Sequence, residues 1–184
     1  MDLMPFDELN KLEASLSIYF EDGKIRSKKD YEDILDELFD LFLLSYAQGV
    51  ESANIDLSSD QKRTLDEATN VVDDAVAGKT WRERMREHYE SGGTIADVIR
   101  IAETESHRDY TTGAFDAAKA AGAKFKTWHT MMDDKVRDTH QYLEGVTIPI
   151  DDEFHSYMGG STQAPGMWGI PEEDIGCRCW LTFS

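Results

Sequence analysis

The 184-residue sequence has little cysteine, few basic residues and no long apolar run. Its two cysteines, Cys177 and Cys179, are separated by one residue, a spacing that is unfavourable for a mutual disulfide. A reducing compartment, the cytoplasm, is therefore favoured over secretion. The longest apolar stretch, Leu41 to Leu44, is far too short to cross a bilayer. Acidic residues near the N-terminus interrupt any apolar segment there, so a signal peptide is not expected.

Basic residues are outnumbered by acidic ones, 19 to 37, which gives a formal net charge of −18 at pH 7. A field of this sign repels phosphate backbones, so we expect neither non-specific nor direct sequence-specific binding of nucleic acid. No membrane partner is expected either. The sequence is 40% hydrophobic, which is enough for a folded core, and the charge favours basic or polar protein partners.

Helical periodicity dominates the first two thirds of the chain. The first predicted helix covers Asp7 to Phe20, and the second runs from an N-cap at Ser27 to about Val50. A third begins at Ser58 and Ser59 and ends at about Val76, and a fourth covers Trp81 to Tyr89. The fifth runs from a capping box of Thr94 and Asp97 to Ala121, with a kink near Gly113.

One face of the second predicted helix is strongly acidic. A solvated face is favoured, and the alternative is a docking surface for a basic partner. A metal cage is disfavoured, because no glycine-containing calcium loop is present. The carboxylates of this acidic face belong to Asp30, Glu32, Asp33, Asp36, Glu37 and Asp40.

The pattern changes after Gly122. We expect strands over Lys124 to Met131, Val146 to Ile150 and Cys177 to Phe183, with Phe125 and Trp128 packed in the interior. A short helix over Asp134 to Leu143 would end at Gly145, and a loop would cover Asp151 to Asp174. This predicts an α+β fold, in which an N-terminal helical region, residues 1–80, precedes a C-terminal domain, residues 81–184. That C-terminal domain would hold a small antiparallel sheet with a short helix.

The most unusual group of polar residues is C-terminal. Asp133, Arg137 and His140 lie at offsets of four and three, so a helix would present all three on one face. The favoured interpretation is an Asp–Arg pair with a hydrogen-bonded histidine that fixes the long loop. The alternative is a zinc site formed by His140, Cys177 and Cys179.

The fourth ligand of such a zinc site stays open among three residues, His129, Asp133 and His155. A Cys–His nucleophile pair is disfavoured because no third orienting residue is evident, so we assign no catalytic residue. His107 lies four residues after Glu103 and is expected to form a surface pair with it.

An ordered set of short motifs extends from about Trp81 to Phe183. It begins with a Thr-Glu-x-x-Arg segment on a predicted helix and ends with Cys-Arg-Cys. In order, the motifs are Thr104-Glu105-Ser106-His107-Arg108, Lys126-Thr127-Trp128, Asp133 to His140 with Val136 and Arg137 inside it, Leu143-Glu144-Gly145, Phe154, Pro165 and Cys177-Arg178-Cys179. In order and spacing this set resembles the phage Mu F-like head morphogenesis proteins. Gly176 departs from the asparagine common there, and some relatives have cysteines where Arg137 and His140 stand.

The resemblance implies a low-copy component of a tailed-phage or prophage head. Its partners would be portal, capsid or scaffold proteins, and its location would be the virion, with the host cytoplasm during assembly. It implies a non-enzymatic role in head assembly, DNA packaging or ejection. Zinc is the candidate cofactor.

Two alternatives stay open. One is a metal-dependent hydrolase or nuclease that uses His140 and the two cysteines, and the other is a host-directed effector carried in the particle. We expect the segment from the Thr104 helix to the Cys-Arg-Cys strand to form one compact unit, with His140 close to Cys177 or Cys179.

Overall fold

A computed structural model of the chain describes residues 6–53 and 65–184. It is a mixture of helices and small antiparallel sheets, which confirms the predicted α+β class. Among the helices of these two ranges, none combines the length and the apolar character needed to cross a lipid bilayer.

The chain begins with helix α1, Phe6–Leu16, followed by a 3₁₀ turn, Ser17–Tyr19. The predicted first helix is therefore too long at its C-terminal end. A hairpin of β1, Phe20–Glu21, and β2, Lys24–Ile25, follows. Positive φ angles at Asp22 and Gly23, 50° and 77°, form its two-residue turn, which matches the twist of paired strands.

The long helix α2 covers Lys28–Ser52 and begins where it was predicted to begin. The Ser27 side chain accepts a hydrogen bond from the Asp30 backbone N–H, so one of the unpaired amides at the helix start is satisfied. Helix α3 covers Leu65–Val72 and ends before the predicted Val76. Its predicted start at Ser58 and Ser59 lies outside the described residues.

Helix α4 covers Trp81–Ser91, and helix α5 covers Ile95–Ala120 without interruption at Gly113. Each begins with a capping box. The Asp97 carboxylate accepts hydrogen bonds from the backbone N–H and the hydroxyl of Thr94, both at 2.9 Å, as the sequence predicted.

The helices enclose a first hydrophobic core. It contains buried side chains from α1, α2 and α3, and it continues into the first half of α4 and α5. Its members are Leu12, Leu16, Ile34, Leu38, Leu41, Phe42, Tyr46, Val72, Trp81, Met85, Val98, Ile101 and Ala102. Helices α4 and α5 of the predicted C-terminal domain thus pack into this core, and the boundary at residue 80 stays a prediction.

Three strands of the described chain form the main sheet in the order β4-β3-β7, with every pair antiparallel. They are β3, Phe125–His129, β4, Thr147–Pro149, and β7, Trp180–Phe183. Trp128 pairs with Leu181, and Thr127 pairs with Thr147. All three are shorter than predicted, and the cysteines precede β7 rather than lie in it.

The connecting segments are more structured than the sequence indicated. The predicted helix over Asp134 to Leu143 reduces to α6, Asp138–Gln141. The predicted loop contains a second hairpin, β5, Phe154–His155, with β6, Ser161–Thr162, and the short helix α7, Pro171–Asp174. These segments close over one face of the sheet.

A second hydrophobic core lies between the sheet and these segments. It consists of Trp128, Leu143, Phe154, Trp168, Cys177 and Cys179. Trp128 is fully buried, as predicted, but Phe125 is 47% exposed, so the prediction that Phe125 packs is wrong. Phe125 begins the strand at the sheet's end.

Candidate functional site

Both cysteines lie inside the second core. Cys177 and Cys179 are free thiols, 4% and 2% exposed, while Arg178 between them is less buried. This alternation is that of an extended segment, in which residues two apart face the same side. The two sulfurs therefore face the same interior space, and Arg178 points the other way.

His140 faces the two sulfurs from helix α6. Its Nδ1 lies 3.7 Å from Cys177 Sγ and 3.5 Å from Cys179 Sγ, so the predicted approach of this histidine to the cysteines is present. Its ring stacks on Trp168, with centroids 6.0 Å apart, and meets Trp128 edge-on at 5.5 Å. The two indoles fix the plane of the imidazole, which is 1% exposed.

The other ring nitrogen of His140 faces a carboxylate. Nε2 lies 3.1 Å from Glu173 Oε2 on helix α7. The same oxygen accepts a hydrogen bond of 2.8 Å from the Thr139 hydroxyl. The imidazole therefore lies between the carboxylate on its Nε2 side and the two sulfurs on its Nδ1 side.

The two thiols influence each other strongly. The pKa of Cys177 is well below its ordinary value, because its thiolate accepts a hydrogen bond from Cys179 and interacts with His107 and His140, which outweighs burial. The pKa of Cys179 is raised, first by the hydrogen bond to Cys177 and then by burial. Loss of a first proton from this pair is therefore favoured, and loss of the second is disfavoured.

His107 belongs to the same site, although the sequence placed it on the surface. It is 4% exposed, and its imidazole interacts with the Cys177 thiol. The expected position of His107 at the surface, beside Glu103, is therefore wrong. The loop at Gly166 covers the imidazole ring, because a Cβ built on Gly166 would lie 3.3 Å from His107 Cδ2. His107 stands inside the Thr-Glu-x-x-Arg segment, and this was its only sequence signal.

The other predicted site residues have different partners. Asp133, Arg137 and His140 do not share a helix face, because α6 begins only at Asp138. Asp133 accepts two hydrogen bonds from Arg178, at 2.6 and 2.8 Å, so the predicted Asp133–Arg137 pair is wrong. Arg137 donates instead to the main-chain oxygen of Ile175. This ion pair and hydrogen bond fasten the Cys-Arg-Cys segment from outside.

The three candidates for a fourth ligand lie elsewhere. Asp133 is taken by Arg178, and it is more than a third exposed. His129 follows Trp128 on β3 and thus faces the opposite side of the sheet, where its Nε2 lies 2.8 Å from Thr182 Oγ1. His155 is exposed on β5. In the described residues, the imidazole and thiol groups of His140, Cys177 and Cys179 are the group whose ligand atoms all lie within 4.8 Å of one another.

A buried ion network flanks His107 on α5. Arg108 pairs with Asp109 at 3.0 Å and with Glu105 at 3.4 Å, and it donates to the main-chain oxygen of Val72 at 3.0 Å. Arg84 of helix α4 also pairs with Glu105. Burial raises the pKa of Asp109 well above its ordinary value despite Arg108. The Glu-x-x-Arg pair of the motif therefore ties α5 to the end of α3.

Comparisons with known proteins find relatives by sequence. The chain is 30% identical over 120 residues to the minor head protein GP7 of Bacillus phage SPP1, which covers 63% of this chain and 39% of that protein. It is 33% identical over 115 residues to the NAD(+)–arginine ADP-ribosyltransferase EFV of Enterococcus faecalis, which covers 60% of this chain and 23% of that protein. The matched segment thus spans less than half of each relative. No solved structure matches the chain.

A family model gives the broadest match. The model of "Phage Mu protein F like protein" matches residues 65–182, from helix α3 into strand β7. This range contains His107, His140, both cysteines and the buried ion network. Since the match covers well over half of the sequence, the chain belongs to the Phage Mu protein F like family.

Proposed function

We propose that the chain is a minor head protein of a tailed phage or prophage, which binds portal or capsid proteins during head morphogenesis. The observation that supports this most is the family match over residues 65–182, together with the likeness to the minor head protein of Bacillus phage SPP1. The range matched by the family model contains the whole second core, and thus the part of the chain that folds around the two cysteines.

The surface of the C-terminal part also supports an interaction role. Tyr142, Tyr157 and Met158, here named the Tyr142 patch, are 63%, 58% and 73% exposed. The two tyrosine rings meet edge-on at 5.9 Å, so the patch joins α6 to the β5–β6 hairpin. Tyrosine and methionine are enriched at the centres of protein interfaces, and exposed apolar patches mark interaction sites.

Co-expression with portal protein from the same phage tests the proposal. We expect the chain to co-purify with portal protein or with assembled procapsids. A Tyr142→Ser/Tyr157→Ser variant should lose roughly tenfold or more in affinity, since buried aromatic side chains dominate interface energies. Ile18→Ser is the matched control, because Ile18 is 60% exposed but lies in the helical part. Failure of the wild-type chain to associate with either assembly would refute the proposal.

An enzymatic role is the second candidate, because one relative is named an arginine ADP-ribosyltransferase. The matched segment is 23% of that relative, so most of the named enzyme lies outside the likeness. A metal hydrolase built on His140 and the cysteines would need an open coordination position. These three residues are 1%, 4% and 2% exposed, which favours a structural site. Growth arrest of a bacterial host on expression of the chain would instead favour an effector.

A further inference from the structure

We propose that His107, His140, Cys177 and Cys179 bind one zinc ion in a closed, tetrahedral, structural site. The inference is independent of the proposed role in head assembly. It rests on four side chains that converge from three separate parts of the chain: helix α5, helix α6 and the Cys-Arg-Cys segment. Two thiolates and two imidazoles are a ligand set that zinc prefers in structural sites.

The ligand atoms of His140, Cys177 and Cys179 lie within 4.8 Å of one another, and the distances from His140 fit a zinc ion bound to both sulfurs. In a tetrahedral site with Zn–S of about 2.3 Å and Zn–N of about 2.0–2.1 Å, a sulfur and a nitrogen ligand lie about 3.6 Å apart. His140 Nδ1 lies 3.5 Å from Cys179 Sγ and 3.7 Å from Cys177 Sγ. These two distances are thus two edges of the expected tetrahedron.

The environment of His140 has the second shell that such a ligand requires. Its Nε2 faces Glu173 Oε2 at 3.1 Å, which gives the carboxylate–histidine–metal arrangement that orients a ligating imidazole. Thr139 in turn donates to the same carboxylate oxygen. Glu173 is 7% exposed, so its carboxylate lies in the interior. It faces a histidine whose Nδ1 points toward the two sulfurs.

His107 is the best placed candidate for the fourth ligand. Its ring nitrogens do not lie within 4.8 Å of all three other ligand atoms, so its side chain has to move toward the ion. It is 4% exposed and interacts with the Cys177 thiol, whereas His129 lies on the opposite side of β3 and His155 is exposed. Helix α5 places it one turn from Thr111, whose hydroxyl donates to the Pro165 oxygen at 2.7 Å. The loop that contacts Cys177 is therefore already fastened to the helix that bears His107.

The charges also balance. When the ion enters, each cysteine releases its thiol proton to solvent and the sulfur electron pair forms the bond to zinc. Zn²⁺ with two thiolates and two neutral imidazoles has no net charge, so the closed site can stay buried at low cost. The metal would join α5, which packs in the first core, to the C-terminal segment of the second core.

Metal analysis of the untagged full-length chain tests the site directly. We expect one zinc per chain by native mass spectrometry after purification without chelator. Zinc-edge X-ray absorption of the same sample should show two sulfur and two nitrogen neighbours. Absence of zinc after incubation with an equivalent of Zn²⁺ under reducing conditions would overturn the proposal. Two sulfurs and a single imidazole, recognised by the multiple scattering of its ring, would overturn the role of His107.

Cobalt provides the second measurement. Co²⁺ added to the metal-free chain should give the intense visible bands of tetrahedral cobalt and a sulfur-to-cobalt charge-transfer band. Cys177→Ser or Cys179→Ser should weaken the charge-transfer band, and His107→Cys should strengthen it by adding a thiolate. An unchanged spectrum in His107→Cys, with helical circular dichroism retained, also contradicts ligation by His107.

Matched histidine and carboxylate variants separate ligands from neighbours. His107→Ala should weaken Zn²⁺ binding by at least about tenfold, and His155→Ala should leave it unchanged, since His155 is exposed. Glu173→Gln should weaken binding by about 10–100-fold while two sulfurs and two nitrogens remain coordinated. Equal loss of affinity in His155→Ala and His107→Ala would contradict the assignment.

Discussion

Lys126 is the most unusual single residue outside the candidate site. It lies on strand β3 with its side chain fully buried, and its Nζ donates to the main-chain oxygen of Gln163 at 2.9 Å and to the Gln163 side-chain oxygen at 2.6 Å. The ammonium also lies 4.7 Å from the centroid of the Phe115 ring. Burial is the largest cause that lowers the pKa of Lys126, to about 8.

A lowered lysine pKa predicts the direction of a pH effect on stability. Below about pH 8, Lys126 is protonated in the folded and the unfolded chain, so burial of its charge opposes folding. Between about 8 and the ordinary 10.5, the unfolded chain binds more protons, so the free energy of unfolding rises with pH. Relative to Lys126→Met, the wild type should gain up to about 3 kcal/mol across this range.

Urea unfolding at a series of pH values measures this difference. Lys124→Met is the matched control, because Lys124 is exposed and lies only two residues before Lys126, and the stability of this variant should follow the wild type. If the difference between the wild type and Lys126→Met stays constant from about pH 7 to about pH 10.5, the predicted titration is wrong.

At the residue scale, the sequence predicted the residue types of the candidate site better than it predicted which side chains contact each other. His140 and the cysteines were placed together because thiolate and imidazole spacing indicated one site. The partner of Asp133 was wrong, since helical offsets indicate Arg137 only if a helix forms there. His107 was missed because its burial comes from the loop at Gly166, which lies far from it in sequence.

At the scale of elements, the packing of α2 against α5 organises the helical part. The two helices meet at glycines: a Cβ on Gly49 would lie 2.0 Å from the Tyr110 oxygen, and one on Gly113 would lie 2.1 Å from the Tyr46 oxygen. Such a close approach lets backbone meet backbone, which a larger residue prevents. The helices therefore gain contact area along their whole crossing.

Substitution at this crossing should be costly. Gly113→Ala adds a methyl group that the neighbouring carbonyl cannot avoid, so we expect a loss of about 2–4 kcal/mol in the free energy of unfolding, after the gain in helix propensity. Ala47→Ser is the control, since Ala47 is exposed on α2, and it should change stability by less than about 0.5 kcal/mol. Chemical unfolding measures both. Equal stability of Gly113→Ala and the wild type would show that the helices can separate freely.

The elements that the sequence predicted well are those with local signals. Ser27, Thr94 and Asp97 form caps within one turn of their helices, so α2 and α5 begin where expected. The helix predicted from Asp134 shortened because Asp133 accepts a hydrogen bond from the Lys135 N–H, a turn that competes with helix formation. The second hairpin and α7 depend on packing against the sheet, which has no local signature.

At the scale of the whole molecule, helix α5 connects the first core to the loop that covers the second. Val98, Ile101 and Ala102 pack in the first core, while Thr111 and Thr112 contact the loop over the second, at Pro165 and Met167. The family match over residues 65–182 includes α5 and the chain after it as far as strand β7. Helix α5, which bears His107, therefore contacts both the first core and the loop over the second.

The acidic face of α2 is partly internal rather than a free docking surface. Glu37 accepts hydrogen bonds from Ser15 at 2.8 Å and from Tyr19 at 2.7 Å, and it raises the pKa of Tyr19 to about 12. Asp30 caps its own helix with Ser27. The exposed carboxylates Asp36 and Asp40 remain for solvent, which agrees with the solvated face favoured from sequence.

The net charge of −18 predicts how salt changes stability. Like charges repel more strongly in the compact chain than in the unfolded one, and salt screens this repulsion. Salt also weakens surface ion pairs such as Lys28–Glu32, whose side chains are 81% and 59% exposed. This costs little stability, because each such pair contributes only about 0–1 kcal/mol. We expect the melting temperature to rise by about 3–6 °C between roughly 20 mM and about 0.5 M sodium chloride. The Asp36→Asn/Asp40→Asn variant should show a smaller rise in differential scanning calorimetry, because its like charges repel less at low salt. A melting temperature that falls with salt would instead mean that ion pairs outweigh the net charge.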